Sequence, residues 1–252
     1  MIVKKQILIK PYGLKRTLHI YLPLNYRKTT KRYPVLYMYD GHNLFFDNEA
    51  TYGKSWGLKA YLDQHQAELI VVGVECNHEG NQRLVEYSPY NFKDRYWGKV
   101  EGTGKVYMEW LVKDLKPYID AHYRTYPDRK HTGIAGSSMG GLMSIYSISQ
   151  WNKTFSKAAC LSSYIDLVMK DLIKDLEVKL KDPTLVYLSW GGKESKRLND
   201  LALATQNNLI VGNKLREKGA QVYYLSNAKG MHNEGSWEKE VPLFLKYLYN
   251  VD

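Results

Sequence analysis

Short apolar runs that alternate with longer stretches of helical periodicity constrain this chain more than any other feature. Strand-like runs fall at about 2–10, 15–22, 34–39, 69–75, 131–136, 157–162, 184–190 and 220–225. Helical spacing fills 104–122, where Tyr107, Trp110, Leu111, Leu115 and Ile119 recur, and then 140–150, 197–217 and 237–249. Parallel strands need a crossover, usually a helix, so this order predicts an α/β fold with a mostly parallel eight-stranded sheet and helices on both faces. No helical pattern separates the first two runs, which predicts an antiparallel pair at the N-terminus. The 252 residues contain no repeat and no linker-like stretch, so one domain over 1–252 is expected.

Composition supports a packed core: 44% of residues are apolar and 25% charged, close to the average for globular proteins. No run of about 18 apolar residues occurs, which argues against a membrane-spanning helix. The start, MIVKKQILIKPYG, lacks the apolar centre and small-residue cleavage site of a signal peptide, so a cytoplasmic location is expected. The formal charge of +10 is spread along the chain without a dense basic run, as a solvated basic surface would be, and no nucleic-acid or membrane partner is expected. Cys76 and Cys160 have neither the count nor the spacing of a disulfide framework or a zinc site, so idle thiols and no metal are expected.

In sheets of this class ligands gather at the carboxyl ends of strands. Residues 131–141 read HTGIAGSSMGG, in which Gly136, Ser138 and Gly140 form the pattern G-x-S-x-G. A short apolar run precedes it and the helical run LMSIYSISQW follows, the strand, sharp turn and helix that a nucleophilic serine requires. A strained turn projects the hydroxyl, and the glycines remove colliding side chains. Gly141 adds room for close helix packing, whereas Ser137 lies outside the central position. A helix starting near Met139 aims free N–H groups at the place where negative charge develops in acyl transfer.

A serine hydroxyl needs a base, because almost none of it is alkoxide at neutral pH. In α/β-hydrolases the chain order is serine, acid, histidine, and of the seven histidines only His232 follows Ser138. The acid that orients the imidazole lies between them. Glu194, in GGKES, is the first carboxylate after the run TLVYLSW, while Asp200 falls in the following helical pattern; Glu194 is favoured and Asp200 is the alternative. Asp166, Asp171, Asp175, Glu177 and Asp182 precede that run and would need another topology. The oxyanion hole is expected from the backbone N–H groups of Met139 and of His42, which follows the third run, PVLYMYD.

Residues 86–97, EYSPYNFKDRYW, place aromatic rings among charges without a clear period. As a loop at the active edge they would wall the pocket, with Tyr87, Tyr90 and Trp97 as candidate substrate contacts for aromatic or sugar-like esters; equally, they could pack the loop onto the domain. Arg83 and Lys93 could attract an anionic substrate or stand as surface charge, and the charged stretch from Asp166 to Lys181 reads as a solvated helical face or a small lid.

The segments VLYMYDGHNLF, SWGLKAYL, RLVEYSPY, DLKPYIDAHYRT, IAGSSMGGLMSIY, YLSWGGKES and GMHNEGSW run through nearly the whole chain in order. Together they resemble the putative-esterase family of α/β-hydrolases, which includes esterase D, enterochelin-type esterases, feruloyl esterases and mycobacterial mycolyltransferases. The resemblance implies the α/β-hydrolase fold and hydrolysis of a small, aromatic or sugar-linked ester through an acyl-enzyme, with no cofactor. It implies Ser138 as nucleophile, His232 as base, Glu194 as acid, and the N–H groups of His42 and Met139 as oxyanion donors. Two departures stand out: Ser189 and Trp190 occupy the place just before the glycine where relatives often carry an acid, and Met231 stands where many have a smaller residue. Acyl transfer to an alcohol or sugar, and a non-catalytic binding protein on the same fold, are the alternatives.

Overall fold

The computed structural model describes all 252 residues. Ile2–Ile9 (β1) and Leu14–Tyr21 (β2) form the antiparallel N-terminal pair, followed by Val35–Tyr39 (β3), Leu58–Gln64 (α1) and Ile70–Val74 (β4). Gln82–Glu86 (α2) leads to a small hairpin, Phe92–Asp94 (β5) and Gly98–Val100 (β6), and then to Gly104–Trp110 (α3) and Lys116–His122 (α4). Thr132–Ser137 (β7), Met139–Gln150 (α5), Lys157–Leu161 (β8), Met169–Asp175 (α6) and Leu185–Gly191 (β9) alternate as expected. Leu198–Glu217 (α7), Gln221–Asn227 (β10), Glu234–Glu238 (α8) and Val241–Tyr249 (α9) complete the chain.

The eight long strands form one sheet in the order β1-β2-β4-β3-β7-β8-β9-β10, parallel from β4 to β10. Every residue of β3, β4 and β7 is buried, as expected for strands covered on both faces, whereas the two edge strands carry exposed residues such as Lys4, Lys5 and Gln221. Side-chain alternation divides the core into two layers: Val35, Tyr37 and Tyr39 pack with Ile134, Leu142 and Trp110, while Leu36 and Met38 pack with Leu161, Phe244 and Leu245.

Three stretches differ from the sequence expectation. The helix over 104–122 contains a π-helical segment, Leu111–Leu115, that ends two residues before Pro117, whose missing N–H removes a rung of the α-ladder. The helix expected at 237–249 is two, α8 and α9, and Pro242 stands in the first turn of the second. The aromatic stretch 86–97 is not an open loop. It closes as the β5–β6 hairpin, in which the Asp94 carboxylate accepts the N–H groups of Tyr96 at 2.6 Å and Trp97 at 2.8 Å. Of the two readings of the charged 166–181 stretch the helical face holds: α6 exposes Lys170, Asp171 and Lys174 to solvent, and the stretch is anchored to the body by buried Val168, Leu172, Leu176 and Leu180, so it is not a lid.

The chain passes from β3 outward to β4, then returns across β3 to β7. The crevice where strand order reverses therefore lies between the carboxyl ends of β3 and β7, which carry the segments around His42 and Ser138.

Candidate active site

Ser138 joins β7 to α5 with φ 58° and ψ −121°, a conformation that costs a serine about 1–3 kcal/mol. Backbone bonds hold it there. Its N–H donates to Leu161 O at 3.0 Å, and its carbonyl accepts from Leu142 N at 3.1 Å and Tyr164 N at 3.0 Å. The glycines follow from crowding: a Cβ on Gly136 would lie 2.8 Å from the Gly140 carbonyl carbon, and one on Gly140 would lie 2.9 Å from Tyr39 Cβ. Ser138 is half-buried between buried Ser137 and Met139, and the first N–H groups of α5 have no partner within their own helix.

Parallel pairing of β9 with β10 sets Gly191 opposite Asn227 and brings the loops that follow side by side. They are joined by Gly192 N to Asn227 O at 2.7 Å and Lys193 N to Gly230 O at 2.8 Å. Across this seam Glu194 Oε2 meets His232 Nδ1 at 3.0 Å, and Glu194 Oε1 accepts the Gly191 N–H. Burial alone would raise the Glu194 pKa, but the hydrogen bonds from His232, the Ser162 hydroxyl and Gly191 outweigh it and hold the carboxyl below its ordinary value. Trp237 packs edge-on against the imidazole at 5.3 Å and donates its indole N–H to Ser162 Oγ at 2.9 Å. Asp200 instead accepts the Ser195 hydroxyl at 2.8 Å from within α7, so of the two candidate acids Glu194 is the one against His232.

The segment after β3 begins at Asp40 in the left-handed region, φ 55°, and continues as a short 3-10 turn, Gly41–Asn43. A Cβ on Gly41 would lie 2.5 Å from the Gly73 carbonyl carbon, so only glycine lets this turn lie against β4. The Asp40 carboxylate receives Arg83 in a two-pronged grip, Nε to Oδ1 and an NH2 to Oδ2, both at 2.7 Å. Burial would raise the Asp40 pKa, and the Arg83 charge more than offsets it. Arg83 is thus tied to a protein carboxylate, and Lys93 is exposed on the hairpin. Burial pushes the His42 imidazole down to about 4, so the ring is neutral near pH 7 and is no proton carrier there. Asn43 accepts Thr51 N at 2.9 Å and donates to Glu234 Oε1 at 3.2 Å, linking this turn to the histidine loop. Burial raises the Glu234 pKa. No motif pointed to Asn43, Asp40 or Glu234, because their contacts join segments far apart in the chain.

Ser138 and His232 line one cavity of about 440 Å3, with rings of Tyr52, Trp56, Trp97 and Trp237 and polar groups of Asn77 and Asn81. Of the aromatic candidates only Trp97 reaches it. Tyr87 is fully buried and packs edge-on against Tyr39 and Tyr107, and Tyr90 is buried with its hydroxyl on Asp175 at 3.0 Å. These two are corrected from pocket wall to packing residues. A larger depression of about 930 Å3 runs along β10 and α7, but no serine, cysteine or histidine lines it.

Residues 10–248 match the family described as "Putative esterase". The chain belongs to this family. It is a carboxylic ester hydrolase. This esterase is 25% identical over 247 residues to the uncharacterized protein YbbA of Bacillus subtilis (strain 168), covering 93% of the chain and 92% of YbbA. Among solved structures it resembles an IroE-like serine hydrolase from Shewanella oneidensis, with TM-score 0.80, 18% identity and coverage of 99% of this chain and 80% of that one. It also resembles a ferulic acid esterase, with TM-score 0.70, 17% identity and coverage of 100% and 99%. The α/β fold is common to them. No helix of the esterase is long and apolar enough to cross a membrane.

Proposed function

We propose that this esterase cleaves a small ester with an aromatic or sugar-linked part by double displacement through Ser138, His232 and Glu194. The observation that carries the proposal is that Ser138, on its strained turn, and His232, held by Glu194, open into the same ring-lined cavity. Ser138 Oγ attacks the carbonyl carbon while His232 Nε2 takes its proton; Glu194 at Nδ1 keeps the tautomer in which Nε2 is the base. The backbone N–H groups of Met139 and His42 receive the tetrahedral oxygen, and loss of one such donor lowers turnover by about 10²–10³. The ester C–O bond then breaks, His232 gives its proton to the departing alcohol, and water repeats the sequence on the acyl-serine.

The cavity volume suits a small molecule, and Trp97 and Tyr52, both exposed, offer ring surface to an aromatic or sugar ring. The fold shared with a ferulic acid esterase supports the aromatic choice. A screen of acetyl, longer-chain, feruloyl and siderophore-like esters tests this. We expect ring-bearing esters to have the highest kcat/KM, with hydrolysis abolished in Ser138→Ala and reduced on the order of 10³–10⁴ in Glu194→Ala. Equal activity in Glu194→Ala and the unaltered enzyme would reject Glu194 as the acid, and a preference for plain acetyl or alkyl esters would reject the ring-bearing substrate.

A further inference from the structure

The carboxyl ends of β3 and β4 bring together three side chains for which the ester chemistry has no use: His42, Cys76 and His78. The strands pair in parallel with Tyr39 opposite Val74, so the residues just beyond each emerge at the same edge. One potential ligand atom from each of the three lies within 4.8 Å of the other two. Cys76 Sγ is 3.9 Å from His78 Nδ1, where a tetrahedral zinc ion, with bonds of about 2.3 Å to sulfur and about 2.0 Å to nitrogen, sets a separation of roughly 3.5 Å. The His42 and His78 rings meet edge-on, 4.5 Å apart.

The environment of His42 points to a ligand. The residue is only 7% exposed; its Nε2 is bonded to the Thr51 hydroxyl at 2.9 Å, and its Nδ1 is buried with no hydrogen-bond partner. If Nε2 donates to Thr51, the lone pair stands on Nδ1, the arrangement in which an outer hydrogen bond fixes the tautomer of a metal-binding histidine. Cys76 is buried and free of any disulfide, and His78 is exposed at the rim. Both Asp40 oxygens accept from Arg83, and the cluster within ligand range consists of His42, Cys76 and His78 without that carboxylate. The spacing of the three along the chain matches no zinc pattern, because strand pairing rather than a short loop assembles them.

We propose that His42, Cys76 and His78 bind a thiophilic divalent cation such as zinc on the wall of the ester cavity, with its fourth position open to that cavity. Binding forms a metal–thiolate bond and releases the Cys76 proton to solvent. All three residues line the cavity with Ser138, so the ion occupies substrate space and fixes the His42 turn against β4; turnover falls reversibly. The inhibition rests on the esterase reading above, whereas the binding does not.

Chelator-stripped protein titrated with cobalt(II), a spectroscopic stand-in for zinc, is the test. We expect one equivalent to produce a thiolate-to-cobalt charge-transfer band that zinc abolishes, that is lost in Cys76→Ser, and whose affinity falls about tenfold or more in His78→Ala. Zinc should inhibit ester hydrolysis at the same occupancy, and with a midpoint shifted about tenfold or more in both variants. Absence of the band, or a band unchanged in Cys76→Ser, would overturn the site. Since His78 is exposed, His78→Ala decides the matter should Cys76→Ser not fold: unchanged cobalt affinity there also overturns it. Inhibition with the same midpoint in the variants would overturn the inhibitory role. A protein that gives the cobalt band yet hydrolyses no ester would contradict only the esterase reading.

Discussion

Glu234 shows how a single side chain can connect two segments of the site. It is buried at the start of α8, accepts Asn43 Nδ2, and has its pKa raised by burial. A carboxyl whose folded pKa lies above its unfolded value, about 4.3, contributes stability that is present at low pH and is lost as pH rises through the folded value. Glu234→Gln keeps an oxygen for Asn43 and never ionises. The variant should therefore gain in Tm relative to the unaltered enzyme as pH rises from about 4 to about 7, checked by thermal melts across that range. Ser138 and His232 could be singled out as candidates from the sequence, one by its spacing and the other by chain order, and both line one cavity. Glu194 was only a preference over Asp200, since order permits both; the seam between the β9 and β10 loops separates them. The bonds of Asn43 to Glu234 and Asp40 to Arg83 were not legible, because each depends on which strand ends lie side by side.

At the scale of elements, the apolar runs were long and regular enough to give all eight strands of the large sheet, and the breaks in the helices fall at Pro117 and Pro242. The β5–β6 hairpin escaped because its strands are three residues each and its turn depends on one carboxylate, Asp94, and on Gly98 at φ 72°. This hairpin carries Trp97, 44% exposed, to the cavity, while Tyr87 and Tyr90 before it face inward. Trp97→Ala removes ring area from the cavity without opening the core. It should raise KM for ring-bearing esters several-fold, leave KM for acetyl esters and the Tm nearly unchanged, and be read by steady-state kinetics on both ester types. An equal effect on both would assign Trp97 to the shape of the hairpin rather than to substrate contact.

For the whole molecule, the sheet order matters most. The turn bearing Ser138 and the segment bearing His42 flank the point where strand order reverses, and the β9 and β10 loops bring Glu194 to His232 at the same edge. Residues at the ends of β3, β4, β7 and β10, nearly 200 positions apart at the extremes, line one cavity, with Glu194 bonded to His232 behind it. A fluorophosphonate reacts with a serine only where a base activates it and oxyanion donors receive the phosphoryl oxygen, so it interrogates the assembled arrangement at once. Labelling of the folded enzyme, with the adduct located by peptide mass spectrometry, should give one adduct on Ser138, none in Ser138→Ala, and strongly slowed labelling in His232→Ala. Folded enzyme with Ser138 unmodified, or labelling undiminished in Ser138→Ala, would contradict the assignment of Ser138 as the nucleophile.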